Sequence, residues 1–246
     1  MKVVFVGATK GMGRALCRKM AERGDRLFLL GRDTSELEKT AADLKVRSGK
    51  DFEVGHAPCD LERPESFEPA LAKADEALGG FDTVVITAGM FGTQEQLEED
   101  HDLLRRLLTV NFAHTVLLCE SARERLMARG GGTLCVFSSV AGDRGRKPVG
   151  LYGSTKAGLS HYLESLDHRY HAAGLKTICV KPGFVKTSMT EGLKPPPFAG
   201  EPEPVAEQVL RAIDAGRPMV YAPPMWRLVM MVIRSLPRFV MRRVGF

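Results

Sequence analysis

Short apolar runs alternate along this chain with longer segments of helical periodicity. The runs lie in KVVFV, RLFLLG, the stretch from Phe52 to Ala57, DTVVIT, TLCVFS, KTICVK and PMVYA. Apart from Phe52 to Ala57, which contains Glu53 and His56, their centres are continuous apolar runs and not alternating ones, which predicts strands buried on both faces, as in a parallel sheet. Between them, helical patterns are predicted after Gly13 (Leu16, Met20), over Thr34 to Arg47, after the third run, over Asp102 to Arg129, over GLYGSTKAGLSHYLESL, and over Val205 to Ala215. Strands alternating with helices predict an α/β protein. EGLKPPPFAGEPEP, from Glu191 to Pro204, is rich in Pro and Gly. It reads as a mobile flap within about residues 184–204, or as an irregular linker.

At 246 residues the chain is long enough for one large domain, and 44% hydrophobic with 26% charged residues fits a globular protein. Cys17, Cys59, Cys119, Cys135 and Cys179 have no close pairs, which points to reduced core thiols and a cytoplasmic setting. No histidine or cysteine cluster has metal-ligand spacing, and Val3–Val6 is too short for a secretory signal core. Lysine plus arginine number 35 against 30 acids. The excess sits in residues 225–246, which carry Arg227, Arg234, Arg238, Arg242 and Arg243 and no acid. A nucleic-acid partner for the whole protein is therefore not expected.

Chemistry enters at the strand ends. Gly7, Gly11 and Gly13 follow the first run at G-x-x-x-G-x-G spacing. Glycines let the backbone turn tightly and approach a pyrophosphate, and the next helix presents free N–H groups and its positive end. The second run ends Leu30-Gly31-Arg32 with the acid, Asp33, after the arginine. Arg32, helped by Lys10, suits a 2′-phosphate, which favours NADP(H) over NAD(H). Alternatively, Arg32 and Asp33 are a solvated loop and helix cap. Asp60, after the third run, is either an adenine contact or a turn residue. Thr87-Ala88-Gly89 leaves room for a flat ring system. Asn111 inside an apolar helix is either a core asparagine held by backbone or an active-site organiser. Tyr152 and Lys156, four apart, share one helix face, and Ser139 ends the fifth run. A lysine beside a phenol makes the proton easier to give up. Pro182-Gly183 ends the sixth run, with Thr187 and Ser188 beyond it, placed to reach a nicotinamide.

In this order and spacing, GATKGMG, TAG, Asn111, Ser139, Tyr152-x-x-x-Lys156 and Pro182-Gly183 resemble the short-chain dehydrogenase/reductase family over nearly the whole chain. The resemblance implies a doubly wound Rossmann domain with a parallel seven-stranded sheet of order 3-2-1-4-5-6-7 and helices on both faces. It implies a catalytic tetrad at Asn111, Ser139, Tyr152 and Lys156. The implied cofactor residues are Gly7, Thr9, Lys10, Gly11, Met12, Gly13, Arg32, Asp60, Leu61, Ala88, Gly89, Tyr152, Lys156, Pro182, Gly183, Val185 and Thr187. Val6 and Thr87 depart from the family's usual threonine and asparagine. The implied reaction is hydride transfer from NADPH to a ketone with Tyr152 as general acid.

Two features bear on the substrate. Asp143, Arg144, Arg146 and Lys147 lie between Ser139 and Tyr152, where cations could meet an anionic substrate group or simply face solvent. The catalytic domain is expected over 1–224, with 225–246 a basic apolar helical tail broken at Pro237. Arg227, Arg234 and Arg238 form one helical stripe among apolar residues. That suits an anionic membrane surface, a subunit contact in a homo-oligomer, or a cap on the pocket. AGDRGRKPVGLYGSTKAGL and the tail are similar to reductases of decaprenylphosphoryl 2-keto-ribose, which implies a lipid-linked keto-sugar phosphate and a peripheral place at the inner membrane face. The alternatives are a soluble or acyl-type ketone, or a non-catalytic NADP-binding regulator.

Overall fold

The computed structural model describes residues 1–49 and 53–245. In chain order the elements are β1 (Lys2–Val6), α1 (Gly11–Arg23), β2 (Arg26–Gly31), α2 (Thr34–Ser48), β3 (Gly55–Pro58), α3 (Phe67–Leu78), β4 (Thr83–Ile86), α4 (Gln94–Glu99), α5 (His101–Leu108), α6 (His114–Ala128), β5 (Gly132–Phe137), α7 (Gly150–Tyr170), β6 (Leu175–Pro182), α8 (Pro202–Asp214), β7 (Met219–Ala222), α9 (Met225–Ser235) and α10 (Arg238–Met241). The seven strands form one sheet in the order β3-β2-β1-β4-β5-β6-β7. Every pairing is parallel, with Val4 opposite Phe28 and Val84. The α/β class, strand order and doubly wound architecture are therefore those expected.

Alternate side chains of each strand face opposite layers, so an apolar run can serve two cores at once. Val3 and Phe5 pack with Leu16 and Met20 of α1, Leu37 and Leu44 of α2, and Val209 and Ile213 of α8. Val4 and Val6 pack with Phe67 and Leu71 of α3, Leu118 and Leu126 of α6, and Leu159 and Leu163 of α7. All five cysteines are buried and unpaired.

Some element boundaries differ from expectation. The third strand was expected from Phe52, which lies outside the described residues; β3 runs Gly55–Pro58. The stretch from Asp102 to Arg129 is helical as expected but not α-helical throughout: α5 and α6 are joined by a π-helical turn, Thr109–Ala113, that holds Asn111. One extra residue per turn re-aims the side chains around it, and such turns recur at functional sites. The helix expected from Val205 begins at Pro202, whose ring suits the first helical turn. The last three residues of the expected flap are thus helical. The two ends of the remaining segment are joined, with Lys186 N donating to Gly200 O (2.9 Å) and Gly200 N to Phe184 O (2.8 Å).

The tail folds back onto the rim of the sheet. Trp226, Met230 and Ile233 of α9 are buried with Val140, and Phe184, Tyr221 and Met241 pack around them. Proline 237 ends α9, so Arg238 lies on α10 and not in the stripe of Arg227 and Arg234. No helix among the described residues is long and apolar enough to cross a membrane.

Candidate active site

The glycine loop joins β1 to α1. Gly7 has φ +95°, the left-handed region that a side chain would strain. Gly13 is needed for space, because a Cβ there would lie 2.1 Å from Gly7 O and 2.5 Å from Thr87 Oγ1. Thr87 Oγ1 donates to Gly7 O (2.9 Å), so the departure at this position keeps a hydrogen bond between β4 and the loop. The first turn of α1 has no side-chain cap and no acid. Its leading N–H groups and positive end therefore remain available to an anion.

A groove of about 690 Å³ runs over these strand ends. Of the expected cofactor residues, Gly7, Thr9, Lys10, Gly11, Met12, Gly13, Arg32, Asp60, Leu61, Ala88, Gly89 and Thr187 line it. Phe91, Val110 and Met189 line it too and were not anticipated. The cradle that Gly13 keeps open, beside an uncapped helix start, fits a dinucleotide pyrophosphate.

At the adenosine end, Arg32 is exposed and reaches Glu62 only at 3.9 Å. Glu62 is held by Arg106 at 2.8 Å. Asp33 is occupied as the cap of α2, accepting from Glu36 N at 3.2 Å. Asp60 Oδ1 accepts from Glu62 N at 3.0 Å, a turn role that leaves its carboxylate on the groove wall.

At the other end four segments meet. A Cβ on Gly89 would lie 3.1 Å from Asn111 Oδ1 and 3.7 Å from Lys156 Nζ. Asn111 is buried and satisfied by backbone. Its Oδ1 accepts from Met90 N (2.7 Å), and its Nδ2 donates to Met90 O (2.8 Å). Lys156 is buried and donates to Phe137 O at 3.0 Å, and desolvation lowers its pKa to about 8. Its Nζ stands 5.8 Å from the centre of the Tyr152 ring. Tyr152 packs edge-on against Phe91 at 5.1 Å. Burial pushes its phenol up to about 12, and the Ser139 hydroxyl opposes this. The expected lowering of the phenol pKa by Lys156 is thus not what dominates: the ammonium is committed to the Phe137 carbonyl, and loss of water decides the sign. Ser139 Oγ accepts from Ala141 N (3.1 Å) and donates to Pro182 O (3.4 Å).

Of the other expected cofactor residues, Pro182, Gly183 and Val185 do not line the groove, and Tyr152 and Lys156 adjoin it only through Phe91 and Gly89. Val185 is buried in the core, and a Cβ on Gly183 would strike the Trp226 indole at 2.1 Å. Asp143, expected near the pocket, is gripped by Lys181 Nζ (2.6 Å) and Tyr221 Oη (2.7 Å).

The family model for short chain dehydrogenases matches residues 1–197. The chain belongs to the short-chain dehydrogenase family. An uncharacterized oxidoreductase of Mycobacterium tuberculosis is 33% identical over 242 residues, covering 98% of this chain and 96% of that protein. One from Streptomyces coelicolor is 33% identical over 252 residues, covering 98% and 95%. In fold, the short-chain dehydrogenase of Sphingobium yanoikuyae, solved with NADPH, superposes with a TM-score of 0.81 at 22% identity over 96% of each chain. Membership makes this protein an NAD(P)-dependent oxidoreductase of the short-chain type.

Proposed function

We propose that the protein reduces a ketone to a secondary alcohol with NADPH, using Tyr152 as the proton donor. The observation that carries this reading is the meeting of Ser139, Tyr152, Lys156 and the Gly89–Asn111 corner at one end of the glycine-loop groove. Gly7 to Gly13 and Thr187 would hold the cofactor's pyrophosphate and nicotinamide ends, with Arg32 and Lys10 at the 2′-phosphate. The bound nicotinamide would supply the hydride. Ser139 holds the carbonyl oxygen. Tyr152, kept protonated by burial, gives its proton to that oxygen as negative charge develops. Lys156 is poised near neutrality to follow with charge and proton. Asn111 fixes the Met90 backbone and stands near Lys156, so it organises this corner.

NADPH over NADH is supported by the exposed guanidinium of Arg32 and by the engagement of Asp33 in capping. A neighbour in fold was itself solved with NADPH. For the substrate we favour a lipid-linked keto-sugar phosphate. The tail supports it: α9 turns Trp226, Met230 and Ile233 inward and leaves Leu228, Met231 and Val232 exposed beside Arg227 and Arg234. An apolar face edged by arginines suits an anionic membrane surface at the cytoplasmic side. The exposed face of α9, or separately the exposed Leu108, Phe112 and Leu117 of the α5–α6 stretch, also fits a subunit contact, as a reductase of a soluble or acyl-type ketone would use it. The complete tetrad argues against a non-catalytic regulator.

Oxidation of NADPH against a panel of ketones tests the reading, repeated with Arg32→Glu. The substitution should weaken NADPH by roughly 1–3 kcal/mol, the worth of charge-assisted phosphate bonds, and spare NADH. Equal effects on both dinucleotides, or no ketone reduced, would overturn it.

A further inference from the structure

Beyond the cofactor groove, a second cavity of about 480 Å³ opens between the loop that follows Ser139 and the C-terminal α10. It is lined by Arg144, Gly145, Lys147, Arg238, Met241 and Arg242. Four of these six residues are cations and none is an acid. Among the described residues none of the four has an ion pair, whereas Arg23, Arg47, Arg106 and Arg123 each hold a carboxylate. The one acid in the loop, Asp143, is withdrawn into its pairing with Lys181 and Tyr221. Arg144 is fixed in place, with Nη2 donating to Leu236 O at 3.0 Å, which ties the loop to the end of α9. Between Arg144 and Lys147, Arg146 has a buried Nε with no hydrogen-bond partner.

Four like charges around one cavity repel each other, and that cost falls when an anion with several acceptor oxygens enters. A tetrahedral phosphate presents such acceptors in directions that guanidinium groups match. Among the described residues no aromatic ring lines the cavity, so none of them would stack there on a nucleobase. The loop begins at Ser139 and leads into α7, which carries Tyr152, so the cavity flanks the reductive site.

We propose that this cavity is a phosphate-ester site built jointly by the loop at residues 144–147 and the C-terminal helix. Its use by the anionic end of a reduced substrate rests on the reductase reading; its capacity to hold a phosphate group does not.

The test uses the full chain saturated with NADPH, so that the glycine loop is already filled. Inorganic pyrophosphate is titrated by calorimetry. In parallel, binding is measured to phosphatidylcholine vesicles with and without phosphatidylglycerol. The wild type is compared with the double variant Arg238→Ala/Arg242→Ala and with Arg217→Ala, which removes an exposed charge ahead of β7, outside both the cavity and the tail. The expected result is saturable one-to-one pyrophosphate binding, weakened more than about tenfold in the double variant and less than about twofold in Arg217→Ala. The same pattern with phosphatidylglycerol vesicles assigns the phosphate to a lipid headgroup; the pattern with pyrophosphate alone assigns it to a free phosphate ester. Lys147→Ala, on the opposite wall, should reproduce the loss if the double variant is unstable. The proposal is overturned if neither probe binds wild type, or if Arg217→Ala weakens binding as much as the double variant, since that is diffuse screening. Saturable pyrophosphate binding by a protein that reduces no ketone would leave the site standing and remove the reductase reading.

Discussion

A single methyl group at Gly13 gives a demanding test of how the glycine loop works. A Cβ there would sit 2.1 Å from Gly7 O and 2.5 Å from Thr87 Oγ1, against an ordinary contact of 3.4 Å or more. Relief requires about 1 Å of movement by the loop backbone or the first turn of α1, since the nearer obstacle, Gly7 O, is backbone and no rotamer change can clear it. Two effects on stability oppose each other. Alanine within a helix is better than glycine by about 1 kcal/mol, and overpacking costs about 1–3 kcal/mol. The net change in stability is therefore small, a loss of about 0–2 kcal/mol, and melting temperature alone would miss the point. Affinity would not miss it. The N–H groups that face the pyrophosphate belong to the displaced turn, so NADPH binding should fall roughly 10- to 100-fold, with about 1.4 kcal/mol per decade. Titration of NADPH fluorescence measures this directly. Gly49→Ala is the control, because Gly49 has φ +59° and no described residue within 4 Å of its Cβ position. It should lose about 1 kcal/mol of stability and keep full affinity. A Gly13→Ala protein that folds and binds NADPH within about twofold of wild type would refute the steric account of the loop.

Further outcomes follow from the same structure. Trp226→Ala empties the seam between α9 and Val140 and should cost about 3–5 kcal/mol, seen as a fall of roughly 6–20 °C in the melting temperature. Leu228→Ala, 55% exposed one residue beyond Arg227, should change stability by no more than about 0.5 kcal/mol. Burial lowers the Lys156 pKa to about 8 from its ordinary 10.5. Between those values the unfolded chain binds a proton that the native lysine has lost, so this residue makes stability rise with pH over that window. Urea midpoints at several pH values from about 7.5 to 10 should show a rise in wild type that is smaller in Lys156→Met; parallel curves would contradict the burial argument.

Much of this architecture can be read from residue order because local physics decides it. Apolar runs buried on both faces, a glycine trio at the first strand–helix junction, and Tyr152 one helical turn before Lys156 are all short-range signals. The unusual cost of Asn111 in a helix likewise flags a real feature, the π turn, although its direct partner is the Met90 backbone. What escaped is set by long-range packing. Phe91 is one aromatic residue in a strand exit, and only the fold brings it against Tyr152. The tail advertises its arginines, while its buried seam of Trp226, Met230 and Ile233 is chosen by Val140 and Phe184, far away in sequence. Pro202 was counted with a Pro-rich linker when it marks the first turn of α8. Asp143 sits among cations in sequence, yet its partners Lys181 and Tyr221 come from strands β6 and β7.

The central claim is that the Tyr152 hydroxyl delivers the proton in a reduction driven by NADPH. Steady-state turnover of any ketone that the wild type reduces, compared with Tyr152→Phe, addresses it most directly. The substitution removes one oxygen and should lower kcat/KM by roughly 10²–10⁴-fold, while NADPH affinity stays within about twofold. Undiminished turnover in the variant would contradict the account.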